Sequence, residues 1–443
     1  MKPLCVVSCP IDTFSGYGAR ARDFVKALIK IKDSEWDIKI MPQRWGDCPW
    51  NFLSQNDPLR QRFIGGLPQR PDVWMQITVP NEFQPVGKFN IGISAGIETT
   101  VYPADFIEGM NRMNLNLVSS KHSKEVAQVS SWEKRDQQTK QVIGQLKAEK
   151  PVEVLFEGLD LSKYYKNPTK SDILKDISED FCFLHTGHWL PGDFNEDRKN
   201  TGLMIQTFLE TFKGPSKKKP ALILKTNHVN YSIIDRTEIL KKINAIRNRV
   251  EGNLPNIYLL HGELTDAEMN QTNNDPKVKA FLSFTKGEGF GRPLLESAIT
   301  GKPVICSNWS GHVDFIHPDY NCLIGGEVKP IHESSANKFL LKESQWFNIN
   351  IEIAARAMKD IVKNYKKYWE KSRKQTQYLK DNWSFDKMAK LLNSYLPSEI
   401  EATPKTVGLQ LPKLKKVGEN NKSNPTNLNL PKINLPKLKK ATV

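Results

Sequence analysis

The stretch from residue 284 to 306, FTKGEGFGRPLLESAITGKPVIC, constrains the fold of this 443-residue chain more than any other segment. Its apolar start ends in a turn that carries glycines at positions 287, 289 and 291. Pro293 then opens an apolar helical run at 294–300, and another apolar run follows at 303–306. This order predicts a strand, a glycine loop, a helix and the next strand of a parallel sheet.

The loop and the two acids within this stretch point to a ligand. Glycines let backbone N–H groups approach an anion, and the N-terminus of a helix adds roughly half a positive charge. Glu288 lies in the loop and Glu296 in the helical run, so the carboxylates can accept bonds from hydroxyl groups on either side. Such a site suits a ligand with a diphosphate between two sugars. The alternative is a surface turn that leads into a core helix.

Residues 288–296, EGFGRPLLE, resemble the acid-seven-acid signature of retaining nucleotide-sugar glycosyltransferases of family 4. The flanking Thr285 and the segment 301–305, GKPVI, match that family as well. Residues 310–314, SGHVD, stand where the family has a Gly-Gly-x-x-Glu pattern. The resemblance therefore extends over about thirty residues in the right order.

The resemblance implies a role for each part of the loop. Glu296 is expected to hold the ribose hydroxyls of a nucleotide-sugar donor, and Glu288 is expected to contact the transferred sugar. The departing diphosphate is expected to be stabilised by the backbone N–H groups of Gly289, Phe290, Gly291 and Arg292.

A second constellation lies at 187–200. The family places Gly-Arg after the preceding strand and Arg-Lys-Gly a few residues later, where this chain has GHWLP at 187–191 and EDRKN at 196–200. Lys199 is thus implied to neutralise the donor diphosphate, as a fixed cation does for a charged leaving group. His188 stands where an arginine is usual, so a second fixed cation is either missing or supplied by Arg198 or Arg292. The alternative for Lys199 is a solvated lysine at a helix start.

In the first half, Gly16 and Gly18 with the following arginines resemble the glycine loop that reaches across the cleft of such enzymes. The same residues satisfy the dinucleotide fingerprint Gly-x-Gly-x-x-Ala. That fingerprint opens directly from a strand, whereas residues 9–15 intervene here, which disfavours a dehydrogenase. Glu98, within 96–100, is a candidate acceptor contact.

Apolar strand-like runs alternate with helical runs through both halves of the chain, which predicts parallel sheets covered on both faces. We expect an α/β protein with two Rossmann-like, doubly wound domains facing a cleft, the GT-B architecture. The expected units are an acceptor domain at 1–165, a donor domain at 166–372, returning helices at 373–397 and a disordered basic tail at 398–443. The polar stretch 133–150 is expected to form an exposed helix or an insertion.

Composition excludes several other classes of protein. No apolar run reaches the roughly 18 residues that a membrane helix requires. The six cysteines are scattered, without metal-ligand spacing, which favours a reducing, cytoplasmic compartment and neither disulfides nor zinc. The resemblance to GT-B enzymes implies neither an obligatory metal nor a cofactor, and the sequence is consistent with this because no Asp-x-Asp motif stands near the glycine loop.

The net charge of +15 is concentrated in part in the tail, which holds nine lysines. The tail repeats LPKLKK at 411–416 and 435–440, and its prolines and Asn-rich spacers predict disorder. Such a segment is a candidate to bind an anionic partner, and the alternative is a solvated tail without a ligand.

The sequence thus favours retaining transfer of a hexosyl or pentosyl group from a nucleotide-diphosphate sugar to an acceptor hydroxyl. Residues 79–82 and 96–100 resemble transferases of large tailed bacteriophages, for which modified DNA bases and glycans are both known acceptors. Two alternatives remain open: a retaining glycosidase that uses the acid pair, and a nucleic-acid-binding protein on an inactive transferase scaffold.

Overall fold

The computed structural model describes residues 2–400, which contain two six-stranded parallel sheets. The first sheet has the strand order β2-β1-β3-β4-β5-β8. Its strands are β1 (Leu4–Cys9), β2 (Asp37–Pro42), β3 (Val73–Ile77), β4 (Phe89–Ile93), β5 (Leu115–Val118) and, after the hairpin of β6 (Ser131–Arg135) and β7 (Val142–Lys147), β8 (Val152–Val154). The helices of this half are α1 (Gly16–Lys32), α2 (Ala104–Asn111) and α3 (Lys121–Val129).

The second sheet has the order β11-β10-β9-β12-β13-β14. Its strands are β9 (Cys182–Thr186), β10 (Ala221–Lys225), β11 (Ile257–Leu260), β12 (Val278–Ser283), β13 (Val304–Ser307) and β14 (Cys322–Ile324). The helices between them are α4 (Thr201–Phe212), α5 (Ile233–Arg247), α6 (Asp266–Asn274) and α7 (Arg292–Ile299). The predicted fold class, two parallel α/β domains, is confirmed.

Both faces of the second sheet are buried, which explains why its strands read as continuous apolar runs. Phe183 and Leu282 belong to the core on one face, whereas Leu184 and Phe281 belong to the core on the other. Successive side chains of a strand point to opposite faces, so each strand contributes to both cores.

The chain returns to the first domain at its C-terminal end. An antiparallel hairpin of β15 (Gly326–Pro330) and β16 (Gln345–Ile349) precedes α8 (Ile351–Lys363), α9 (Tyr365–Asn382) and α10 (Phe385–Tyr395). Met388 and Leu392 of α10 join the core of the first sheet, together with Phe24 and Leu28 of α1. α10 therefore ties the two domains together.

Of the two alternatives for 133–150, the exposed helix is wrong, because this stretch forms most of the β6–β7 hairpin, a separate two-stranded sheet inserted between α3 and β8. The Oδ1 atom of Asp136 accepts bonds from the backbone N–H groups of Gln138 at 2.9 Å and Thr139 at 2.7 Å. Such a turn offers the backbone an alternative to helical bonds and closes the hairpin. Trp132 Nε1 also donates to the carbonyl oxygen of Tyr102 at 2.9 Å, which fixes the hairpin to the domain.

The predicted tail lies outside the described residues, apart from 398–400, and the predicted domain boundaries stay predictions. Among the helices described within 2–400, none is long and apolar enough to cross a membrane.

Candidate functional site

Two loops meet at the carboxyl edge of the second sheet because they follow the neighbouring strands β9 and β12. Lys199, after β9, places its Nζ atom 2.5 Å from Oε1 of Glu288, which follows β12. Arg198 Nη1 lies 3.5 Å from Oε2 of the same carboxylate. The side chains of Lys199 and Glu288 are only 11% and 8% exposed. The sheet thus assembles a buried cluster of two cations and one anion where ligands of parallel sheets bind.

Electrostatics within this cluster keep Glu288 ionised. Burial by itself would raise the pKa of Glu288, but the charges of Lys199 and Arg198 outweigh it and lower the pKa to about 2. Burial lowers the pKa of Lys199, and the neighbouring Arg198 adds to this effect against the attraction of Glu288.

Asn200 explains how the loop turns into helix α4 directly after Lys199. Its φ angle of 54° lies in the left-handed region, which asparagine tolerates better than most side chains. The left-handed conformation of Asn200 lets the chain turn into α4 directly after Lys199, whose side chain bonds Glu288.

The glycine loop presents unpaired backbone donors at the start of α7. Within residues 2–400, the backbone N–H groups of four consecutive residues donate to no acceptor of the chain: Gly289, Phe290, Gly291 and Arg292. Gly291 precedes the helix with a φ of 100°, which disfavours any residue with a Cβ. Free N–H groups at a helix N-terminus form a site for an anion such as a phosphate.

A loop of the first domain packs directly on the glycine loop. A Cβ atom at Gly287 would lie 2.0 Å from the carbonyl oxygen of Glu98, and one at Gly289 would lie 2.1 Å from that of Ala95. Ser119 Oγ donates to the carbonyl oxygen of Gly289 at 2.9 Å. The carboxylate of Glu98 reaches Arg198, with 3.4 Å between Oε1 and Nη2. The site is therefore lined by both domains.

Arg292 forms a second interdomain cluster. Its Nη1 atom lies 2.7 Å from Oδ2 of Asp23 on α1, and its Nε atom donates to Oε1 of Glu296 at 2.7 Å. Glu157 lies 3.7 Å from Arg292 and 3.4 Å from Arg20, which extends the ion pairs into the first domain. Burial raises the pKa of Glu296 to about 6, although Arg292 opposes that rise.

The other predicted site residues differ in how far they are buried. Gly18 is buried, and a Cβ there would lie 2.3 Å from the carbonyl oxygen of Thr13, whereas Gly16 has open space around it. His188 is exposed on the loop after β9. The ring of Phe290 packs in the core against Phe315, with 4.9 Å between the centroids, so only its backbone faces the loop.

Sequence reasoning missed two buried histidines near the ion pair. His185 Nδ1 bonds the carbonyl oxygen of Leu282 at 2.9 Å, and its Nε2 atom is buried without a partner in the described chain. Burial lowers the pKa of His185 to about 4. His312 Nε2 bonds the carbonyl oxygen of Ser307 at 2.7 Å. A polar residue at the end of an apolar strand is the signal that would have identified His185.

Tyr17 is another residue that the sequence did not single out. Its hydroxyl oxygen accepts a bond from the N–H of Ala95 at 3.0 Å, and its ring stacks on Trp45 with the centroids 4.0 Å apart. Tyr17 therefore supports the loop that covers the glycine turn.

Among the residues from 2 to 400, no group of three or more His, Cys, Asp or Glu side chains is arranged to hold a metal ion. The expectation that the site needs no metal or cofactor stays a prediction.

No family model and no curated protein matches this sequence, but solved structures match its fold. HepE of Anabaena, bound to UDP and glucose, is 11% identical with a TM-score of 0.57, over 88% of this chain and 98% of its own. Sucrose-phosphate synthase from Thermosynechococcus elongatus is 10% identical with a TM-score of 0.56, over 89% and 98% of the two chains. The lipopolysaccharide outer core galactosyltransferase WaaB is 13% identical with a TM-score of 0.53, over 89% and 98%. The chain thus has the two-domain GT-B fold.

Proposed function

We propose that this protein transfers a sugar from a nucleotide-diphosphate sugar to an acceptor hydroxyl, with retention of the anomeric configuration. The observation that carries the proposal is the buried contact of Lys199 with Glu288 beside four unpaired N–H groups. A fixed cation and a row of amide donors suit a leaving diphosphate, while a carboxylate kept ionised suits the hydroxyls of a sugar.

In the proposed reaction, the bond between the anomeric carbon and the diphosphate oxygen breaks, and a bond from that carbon to the acceptor oxygen forms. The acceptor proton passes to the departing phosphate, so no general base is assigned to the protein. Lys199 and the N–H groups of 289–292 stabilise the charge that develops on the diphosphate. Glu288 orients the transferred sugar, and Glu296 accepts bonds from the ribose.

Three of the structural neighbours support this choice of substrate. HepE is solved with UDP-glucose, WaaB is described as a galactosyltransferase, and sucrose-phosphate synthase is a synthase of a sugar phosphate. A hexosyl donor is therefore the first to test, and a pentosyl donor the second.

The acceptor is proposed to approach from the first domain. The loop at 95–98 covers the glycine turn, and Glu98 points its carboxylate at Arg198. We propose that the acceptor is a hydroxyl of a modified DNA base or of a glycan. Both kinds of acceptor suit a bacteriophage protein.

The test is donor hydrolysis and transfer across a panel of nucleotide sugars, run with and without a metal chelator. Turnover that is lost in Lys199→Ala but kept in Lys241→Met, at an exposed lysine on α5, supports the proposal. Hydrolysis of a glycoside without any nucleotide would point to the glycosidase instead. Strongly salt-dependent DNA binding without turnover of any donor would point to an inactive scaffold.

A further inference from the structure

A segment between β14 and α8 contacts all three loops of the site. We refer to residues 326–349, which include β15 and β16, as the bracket segment. It contacts the loop that carries Lys199, the loop that carries Glu288 and the first-domain loop that carries Glu98.

The first contact supports the loop before Lys199. The N–H of Asp193 donates to Ser334 Oγ at 3.0 Å, and Ser335 Oγ donates to the carbonyl oxygen of Glu196 at 2.5 Å. These bonds fix the backbone three to six residues before Lys199.

The second contact supports the glycine loop through Lys286. The N–H of Phe347 donates to the carbonyl oxygen of Lys286 at 2.9 Å, and the Lys286 ammonium lies 5.0 Å from the ring centroid of the buried Trp346. Nζ of Lys286 also lies 3.1 Å from Oε2 of Glu196, and the lysine side chain is only 1% exposed. A buried ammonium needs such partners, because an unpaired one would carry a large desolvation cost.

The backbone of Lys286 connects the loop that carries Lys199 to the loop that carries Glu288. Its N–H donates to the carbonyl oxygen of Arg198 at 2.7 Å, and Arg198 Nη1 donates back to the carbonyl oxygen of Gly287 at 2.7 Å. The bonds of Lys286 thus join residues on both sides of the contact between Lys199 and Glu288.

The third contact reaches the first domain. The N–H of Thr100 donates to the carbonyl oxygen of Gln345 at 3.1 Å, and the N–H of Gln345 donates to Thr100 Oγ1 at 2.9 Å. Phe339 packs on Phe106 of α2, with 5.7 Å between the ring centroids. The bracket segment therefore connects the first-domain loop that carries Glu98 to the loops that carry Lys199 and Glu288.

We propose that Lys286 is a positioning residue for glycosyl transfer: its ammonium, held between Glu196 and Trp346, keeps the Lys199 loop in register with Glu288. This role rests on the proposed function, since it concerns the rate of that reaction. Lys286 does not touch the substrate in this proposal. It acts through Arg198 and Lys199.

The experiment compares Lys286→Met, which keeps the aliphatic stem over Trp346, with Lys286→Arg and with the control Lys241→Met, at an exposed lysine on α5 outside the bracket segment. We expect kcat for the nucleotide sugar that turns over to fall about 10- to 100-fold in Lys286→Met, because small misplacements of catalytic groups have effects of this size. The donor KM should change less than about threefold, and Lys286→Arg should restore most of kcat. A drop confined to KM, or no drop at all, would overturn the proposal.

Amide hydrogen exchange provides a second measurement that needs no turnover. In Lys286→Met, the peptides that cover 194–200 and 285–291 should exchange about tenfold faster together, while those of the β6–β7 hairpin should not change. If Lys286→Met fails to fold, Glu196→Gln tests the same ion pair and should accelerate the same two peptides. Unchanged exchange in both loops would overturn the positioning role. Absence of turnover in the wild-type protein would instead overturn the proposed function.

Discussion

Lys199 Nζ lies 2.5 Å from Glu288 Oε1, although 89 positions separate these residues in the chain. The contact arises because β9 and β12 are neighbours in the sheet, so that the loops after them share one edge. In the reaction that we propose, this ammonium would share its hydrogen bonds between the carboxylate and the donor diphosphate. The cation would then stabilise the leaving group most strongly as that group gains charge.

Replacing Lys199 by alanine should remove the main stabilisation of the leaving diphosphate. We expect a loss on the order of 3 kcal/mol in transition-state stabilisation, the scale of one pre-organised contact, measured as kcat/KM for the donor. The Lys241→Met protein serves as the control. A loss below about threefold would show that Arg198 or Arg292 supplies the cation instead.

The two acids of the glycine loop should have separable effects. Glu288→Ala should mainly lower kcat, because this carboxylate is expected to contact the transferred sugar. Glu296→Ala should mainly weaken binding of the free nucleotide, because it is expected to hold the ribose. Steady-state kinetics and calorimetric titration with the nucleoside diphosphate measure the two effects. Wild-type affinity and rate in both variants would contradict the assignment of the donor site.

Donor binding should weaken in mildly acidic solution because of Glu296. Burial raises the pKa of Glu296 from 4.5 to about 6, so the carboxylate gains a proton as the pH falls through that value. A protonated carboxyl is a poorer acceptor for ribose hydroxyls, and the donor KM should therefore rise below about pH 6. Glu288, with its pKa lowered to about 2, stays ionised over this range. In Glu296→Gln the acid limb of the pH profile should be absent, and its persistence would assign the limb to another group.

The same pKa shift has a consequence for folding stability, with a definite sign. Because the pKa of Glu296 is higher in the folded than in the unfolded chain, folding binds a proton between about pH 4.5 and 6. The stabilisation is complete below the unfolded pKa and is lost as the pH rises through the folded pKa. Unfolding by denaturant should therefore show Glu296→Gln gaining stability relative to the wild type as the pH rises across this window.

Closure of the two domains can be tested at Gly289. A Cβ there would lie 2.1 Å from the carbonyl oxygen of Ala95, against an ordinary separation of about 3.3 Å, so Gly289→Ala should move the loops apart by about 1 Å. The φ of Gly289 lies outside the left-handed region, so alanine fits the backbone itself. We expect kcat to fall about 100-fold in a protein that still folds, with a cost of about 1–3 kcal/mol in the free energy of unfolding from the overpacking. Gly65→Ala, where no atom lies within 4 Å, is the control, and equal kinetics in the two variants would contradict the closure.

The parallel sheets could be predicted from the sequence because strands buried on both faces read as apolar runs between helical ones. The β6–β7 hairpin could not, since its strands are mostly exposed and carry no apolar period. Strand β15 of the bracket segment was not predictable for the same reason, because all of its residues are exposed. Exposed hairpins are therefore the part of this fold that burial patterns do not reveal.

The candidate site was predictable only as separate motifs. The resemblance named Lys199 and Glu288, but their contact depends on the order of strands in the sheet, which spacing along the chain does not give. Arg292 illustrates the same limit, because its partner Asp23 lies on the first domain. No sequence pattern marks Lys286, which is distinguished only by its burial between Glu196 and Trp346.

The last prediction separates catalysis from the choice of acceptor. The cut is placed after Ile400, because Ile400 packs against the core of the first domain. Deleting 401–443 removes nine lysines against Glu401 and Glu419, a net charge of +7. Donor hydrolysis and thermal unfolding should stay close to those of the full chain.

If the acceptor is DNA, each phosphate contact that is lost should reduce the slope of log K against log salt by about 0.9. The shortened protein should then bind DNA with a visibly shallower salt dependence. If the acceptor is a glycan, neither affinity nor slope should change. Loss of folding would contradict the prediction of a disordered tail and would mean that the LPKLKK repeats contribute to a packed core.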